Sequence, residues 1–180
     1  MKNRKSNRMK GFDYSSNNLY FVTSCVKNNL CCLGRVIAVG TGRDLSVQSS
    51  LSEVNPEIEC KVELNQYGLI VDEKIKWLMS QYEYVDIHNY IVMPNHFHLI
   101  IEIDSQKVVE KEIKIKSLSS LMGAMKTKSS NQIHELGFKD FAWHRSFHDH
   151  IIRDEKAYVN IFNYISNNPT NWLKDKFYQK

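Results

Sequence analysis

Residues 84–103, YVDIHNYIVMPNHFHLIIEI, decide how the chain is read. Ile87, Tyr90 and Val92 lead up to a break at Pro94-Asn95, and Phe97, Leu99, Ile100, Ile101 and Ile103 follow it. An apolar run of this kind reads as a buried strand, so the segment is two strands joined at Pro94-Asn95. Successive strand side chains point to opposite faces, which puts His96 and His98 on one face about 7 Å apart, with Phe97 turned into the core. Two imidazoles so placed can hold one metal ion. If they hold none, their ring nitrogens need other partners inside the strand. In a chain with seven histidines one such pair also arises by chance, so this stretch alone leaves both readings open.

Helical spacing flanks the strand pair. Upstream, LNQYGLIVDEKIKWLMSQYE (64–83) has apolar residues at 70, 71, 75, 78 and 79 with charges between, which predicts an amphipathic helix. Downstream, a charged linker from Asp104 to Lys116 leads to a second helix starting near Ser117. There Leu118, Leu121, Met122 and Met125 fall at i, i+3, i+4 and i+7. Before all of these, Leu19 to Val26 reads as a first strand. The stretch 141–155, FAWHRSFHDHIIRDE, reads as a last strand that sets Phe141, Trp143, Arg145, Phe147 and Asp149 on one face and Ala142, His144, Ser146, His148 and His150 on the other. Asp154 is placed to cap a helix over about 155–167, which Pro169 stops at Asn168. The order strand, helix, strand, strand, helix, strand, helix predicts an α+β fold. Its ferredoxin-like split βαβ sheet has helices on one face and an added C-terminal helix.

Composition narrows the class. The 180 residues fit one domain, with a basic tail at 1–10 and a less legible region at 27–66 that suits an inserted hairpin or loop. No stretch has the ~18 consecutive apolar residues of a membrane span and no secretory signal is evident, so no membrane partner is expected. The four cysteines have no C-x-x-C spacing and read as free thiols, which predicts a cytoplasmic protein. A net charge of +4 only leans toward an anionic partner. Five of the 24 basic residues lie in MKNRKSNRMK, where Arg4, Lys5, Arg8 and Lys10 form either a solvated tail or a phosphate-contacting arm. Lys126 and Lys128 on the second helix carry the same two readings. Arg145 is either a phosphate clamp or a partner of Asp149, and His150 is a polar edge or a substrate contact.

On the last helix Tyr158, Ile161, Phe162 and Ile165 form an apolar stripe, with Asn160, Tyr164 and Asn168 along its edge. A tyrosine at such a margin is most often an amphipathic filler.

Three ordered motifs change that reading. MPNHFHLII is followed about fifty residues on by W-x-R-x-F-x-D-H-x-I-R-D-E and then by Y-I-x-x-N-P. Together with the opening RKSNRMKGFDYSSNNLYFVTSCV, they resemble the single-tyrosine HUH transposases, in particular the REP-associated tyrosine transposases and their IS200-like relatives. The resemblance implies that His96 and His98 bind a divalent ion, Mg²⁺ or Mn²⁺, with Asn168 completing the site where insertion-sequence relatives commonly have Gln. It implies that Tyr164 attacks single-stranded or hairpin DNA to form a 5′-phosphotyrosine link, with the active site within one chain or across a homodimer. Two other classes stay open: a non-catalytic, domesticated nucleic-acid-binding descendant, and a metal-dependent phosphodiesterase in which Tyr164 is structural.

Overall fold

A computed structural model describes residues 11–39, 59–109 and 113–178. Six strands are present among them: β1 (Asn18–Cys25), β2 (Gly34–Ala38), β3 (Cys60–Leu64), β4 (Val85–Val92), β5 (His96–Ile103) and β6 (His148–Ile152). The helices are α1 (Gln66–Gln81), α2 (Leu118–Glu135) and α3 (Glu155–Ser166). Four strands make one antiparallel sheet in the order β4-β5-β1-β6, while β2 and β3 pair separately. Without that pair the connectivity is β-α-β-β-α-β with the first strand central, which is the ferredoxin-like arrangement expected. The basic residues of 1–10 lie outside the described residues, as does 40–58, the middle of the region read as an insertion.

Each helix begins where its sequence supplies a side-chain acceptor for the first free backbone N–H groups. Asn65 accepts from Tyr67 and Gly68 at the start of α1, Ser117 from Ser120 at α2, and Asp154 from Ala157 at α3. Gly68 has no room for a side chain, since a Cβ there would stand 2.0 Å from the Leu33 carbonyl oxygen.

Strand alternation divides the sheet into two unlike faces. Tyr20, Val22, Phe97, Leu99, Ile101 and Ile103 join Ile75 and Leu78 of α1 and Leu121, Met122 and Met125 of α2 in the main core, every one of them fully buried. The opposite face carries Leu19, Phe21, Ile100 and Ile152, which α3 covers chiefly through the buried Ile165 and the half-buried Ile161. The stripe expected on α3 is narrower than its sequence suggests, because Phe162 stays exposed.

The last strand is also shorter than expected. Residues 141–147 are irregular, joined to β1 by a single bridge between Val26 and Trp143, and only 148–152 pair along β1. Side chains of α2 satisfy two backbone carbonyls that a ladder would have used, and Ser129 of the same helix holds the Trp143 ring. His134 Nε2 meets the Phe141 carbonyl at 2.7 Å, Lys126 Nζ donates to the His144 carbonyl at 2.7 Å, and Trp143 Nε1 donates to Ser129 Oγ at 3.0 Å. Phe141, Trp143 and Phe147 are buried as separate anchors, so their spacing imitates a strand without making one.

Candidate active site

The MPN turn between β4 and β5 is held by the segment that leaves β1. Pro94 carbonyl oxygen accepts from the backbone of both Cys32 and Leu33 at 2.9 Å, and Asn95 carbonyl oxygen accepts from Val26 at 2.8 Å. Directly after this turn His96 and His98 enter the sheet opposite Cys25 and Thr23 of β1, on the α3 face. Both histidines are buried.

Every ring nitrogen of the pair has a close neighbour. His96 Nδ1 lies 2.8 Å from Asn95 Oδ1, and His98 Nδ1 lies 2.7 Å from Thr23 Oγ1. The two Nε2 atoms face one another at 3.0 Å. Burial is the main reason both rings resist protonation, taking His96 down to about 3 and His98 well below the usual imidazole value. Lys176 adds to the effect at both, and at His98 so does His96.

The final helix brings Tyr164 to the same place. Its hydroxyl is 3.3 Å from His98 Nε2, and its ring meets His98 at 5.2 Å and Phe21 edge-on at 6.1 Å. Tyr164 is 42 % exposed, so it is open to solvent on the side away from the histidines. Tyr158, the other tyrosine of α3, points elsewhere, its hydroxyl 3.1 Å from His88 Nδ1. Burial, and next the Asp175 carboxylate, raise the Tyr164 phenol above its ordinary value, while a hydrogen bond with Asn168 works the other way. A cation beside the hydroxyl would reverse that balance.

Asn168 is buried just beyond α3. Its Nδ2 donates to Asp175 Oδ2 at 3.2 Å, and its Oδ1 is buried without a hydrogen-bond partner. Asp175 itself was not expected from the sequence. The chain turns back after Pro169 so that His96, His98 and Asp175 bring ligand atoms within 4.8 Å of one another. Phe177 lies over His96 at 4.7 Å between ring centres, and its carbonyl accepts from Asn95 Nδ2 at 2.8 Å. Thr23 and Asn95 were likewise missed as site residues, although Asn95 is adjacent to His96 in the motif.

The residues read as nucleic-acid contacts are dispersed. Lys126 is tied to the irregular 141–147 segment, and Lys128 Nζ stands 4.8 Å over the Trp77 ring. Arg145 is exposed in that irregular segment. His150 is exposed on β6 opposite Phe21, on the same face as the histidine pair. No helix of the described residues is long and apolar enough to cross a membrane.

No protein-family model matches the chain. An uncharacterized protein of Haemophilus influenzae is 29 % identical over 188 residues, spanning 97 % of this chain and 93 % of its own. Among solved structures, a REP-associated tyrosine transposase bound to a REP hairpin superposes with a TM-score of 0.53 at 18 % identity, covering 97 % of this chain and 76 % of that one. A putative transposase from Deinococcus radiodurans aligns at 14 % identity with a TM-score of 0.43, over 89 % of this chain and 97 % of its own. The chain therefore has the fold of a REP-associated tyrosine transposase, as the sequence motifs imply.

Proposed function

We propose that this protein cleaves and rejoins single-stranded DNA through a 5′-phosphotyrosine link formed by Tyr164, with a divalent ion held beside it. The observation that carries the reading is the convergence, within one chain, of the Tyr164 hydroxyl on a buried histidine pair. The shared fold with a tyrosine transposase supports it.

The donor set fits a metal ion. The two Nε2 atoms, 3.0 Å apart, would both be within reach of one ion. The buried Asn168 Oδ1 has no other partner, and Asp175 supplies a carboxylate within reach. His96, His98 and Asn168 would hold the ion, with Asp175 as a further oxygen. Mg²⁺ and Mn²⁺ are the candidates, and the nitrogen content favours Mn²⁺. A bound ion would polarise the oxygens of the scissile phosphate.

The chain supplies the remaining chemistry. The Tyr164 oxygen bonds to phosphorus, the bond from phosphorus to the 3′-oxygen breaks, and a free 3′-hydroxyl is left. The Asp175 carboxylate, which shares the site with the histidines and acts on the Tyr164 phenol, takes the phenolic proton. Water supplies the proton to the departing 3′-oxygen. Rejoining reverses the exchange, one phosphoester for another, so no nucleotide is consumed. Because Tyr164 meets the histidines of its own chain, the reading needs no homodimer to complete the site.

The structural neighbour is bound to a REP hairpin, which supports hairpin DNA as the substrate here. Arg145 and His150, exposed on and beside β6, are the described side chains we assign to its phosphates. Arg4, Lys5, Arg8 and Lys10 are assigned the same role from sequence, with Lys126 and Lys128 contributing from α2. Phosphate contacts of this kind make binding weaken steeply as salt rises.

The test is incubation with labelled hairpin single strands and Mn²⁺, followed by a denaturing gel. A protein–DNA adduct that requires the ion is expected. Cleavage without an adduct would point to a phosphodiesterase, and hairpin binding with no cleavage under any divalent ion would point to a binding-only descendant.

A further inference from the structure

The two histidines are held differently, and the difference sets where their protons sit. Asn95 Nδ2 donates to two carbonyl oxygens, those of Asn29 at 3.0 Å and Phe177 at 2.8 Å. A carbonyl only accepts, so these contacts fix which end of the amide is nitrogen and leave Oδ1 facing His96 Nδ1 at 2.8 Å. An amide oxygen also only accepts. His96 must therefore carry its one ring proton on Nδ1 and present a bare lone pair at Nε2.

His98 faces a hydroxyl instead. Thr23 Oγ1, at 2.7 Å from Nδ1, can donate or accept. With His96 Nε2 bare, a 3.0 Å approach of the two Nε2 atoms needs a proton between them, and only His98 can supply it. In the metal-free protein His98 is then protonated on Nε2 and donates to His96, while Thr23 donates to His98 Nδ1.

We infer that Asn95 locks the tautomer of His96 and that Thr23 lets His98 move its proton from Nε2 to Nδ1, so the pair becomes a two-nitrogen ligand without losing a proton. In the loaded form the Thr23 hydroxyl turns from donor to acceptor. Asn95 and Thr23 are thus positioning residues, acting through the histidines. The inference rests on the metal site of the proposed function but concerns ring protons that can be observed without DNA or cleavage.

Imidazole ¹⁵N–¹H correlation spectra test it, with Zn²⁺ as a diamagnetic probe. Metal-free protein should show His96 protonated on Nδ1 and His98 on Nε2, and Zn²⁺ should move only the His98 proton, to Nδ1. Replacing Asn95 by Leu should lower Zn²⁺ affinity about 10- to 100-fold. Asn95→Asp, which keeps an acceptor toward His96 but loses both donated bonds, should stay within about threefold of the parent. Thr23→Val should lower affinity about tenfold, and Thr23→Ser should restore it. A metal-free His96 protonated on Nε2, or a His98 already protonated on Nδ1, would overturn the inference. So would Asn95→Asp binding as poorly as Asn95→Leu, since that would assign the effect to the tethers at Asn29 and Phe177. Spectra as described from a protein that forms no DNA adduct would remove the proposed function and leave this inference standing.

Discussion

Strand β5 serves two environments at once, and they are built to opposite rules. Phe97, Leu99, Ile101 and Ile103 enter a core closed by two helices, where each neighbour is apolar and fully buried. One residue out of step, His96 and His98 enter a face covered by one helix, most of whose side chains are exposed, and by the chain that returns after it through Trp172 and Phe177. The first environment is apolar save for a few hydrogen-bonded groups, such as Trp143 Nε1 on Ser129 Oγ, and supplies stability. The second holds two uncharged imidazoles, an amide oxygen without a partner and a phenol half in water, which is a costly arrangement unless something binds there. One face of the strand is thus a rigid floor, and the other is the site it supports.

Breaking each face should give different kinds of damage. The largest expected effect is on the site. Tyr164→Phe removes one exposed oxygen and should abolish adduct formation, at least 1,000-fold or about 4 kcal/mol in barrier, while melting as the parent does. Normal adduct yield from this variant would remove Tyr164 from the chemistry.

Next is the core. Leu99→Ala should cost about 2–5 kcal/mol in urea unfolding and lower activity only through loss of folded protein. A loss below about 1 kcal/mol would mean that the α1/α2 face is less closed than described.

The pH dependence of stability separates the faces again. The folded-state values of His96 and His98 lie below the unfolded value near 6.5, so the unfolded chain binds protons first as pH falls. Stability should be full above about pH 6.5 and then fall by up to about 1.4 kcal/mol per pH unit for each histidine, levelling for His96 only near pH 3. Urea midpoints at pH 7.5 and 5 measure this, and His96→Gln should flatten the slope. An unchanged slope would mean that His96 is not buried and neutral.

The smallest effect is expected at the exposed part of α3. Phe162→Ser should change stability by about 0.5 kcal/mol or less, and a loss several times larger would show that α3 is covered more fully than its exposure indicates.

Much of this architecture is legible in the amino-acid sequence itself. Helices α1, α2 and α3 carry both a periodic apolar face and a capping residue, so local chemistry alone places them within a few residues. His96, His98 and Tyr164 can be brought together because a strand period and a helix margin each leave a trace in sequence. Thr23 cannot, since it joins the site only through the register that sets it opposite His98. Asp175 follows Pro169 in a stretch without period, and only the returning chain delivers it to the histidines. Asn95 reads as a turn residue, and its second task depends on carbonyls 66 and 82 positions away. The segment 141–147 misleads in the other direction, because three aromatic anchors at even spacing copy the alternation of a strand whose hydrogen bonds go to α2 instead.

The central position of β1 has a consequence for how the protein is made. The first of the described strands finds its two neighbours only in β5 and β6, with Thr23 meeting His98 at 75 positions' remove and His148 later still. A chain growing from the ribosome therefore carries an unpaired β1 until most of it has emerged. The candidate site is incomplete until residues near Tyr164 and Asp175 have left the exit tunnel. Nascent chains arrested before β5 has left the tunnel should be cleaved readily within β1 by added protease, and released full-length chains should resist. Protection appearing already in the shorter chains would mean that β1 finds a temporary partner. The same delay keeps the candidate site from existing on a half-made protein, a consequence of strand order alone.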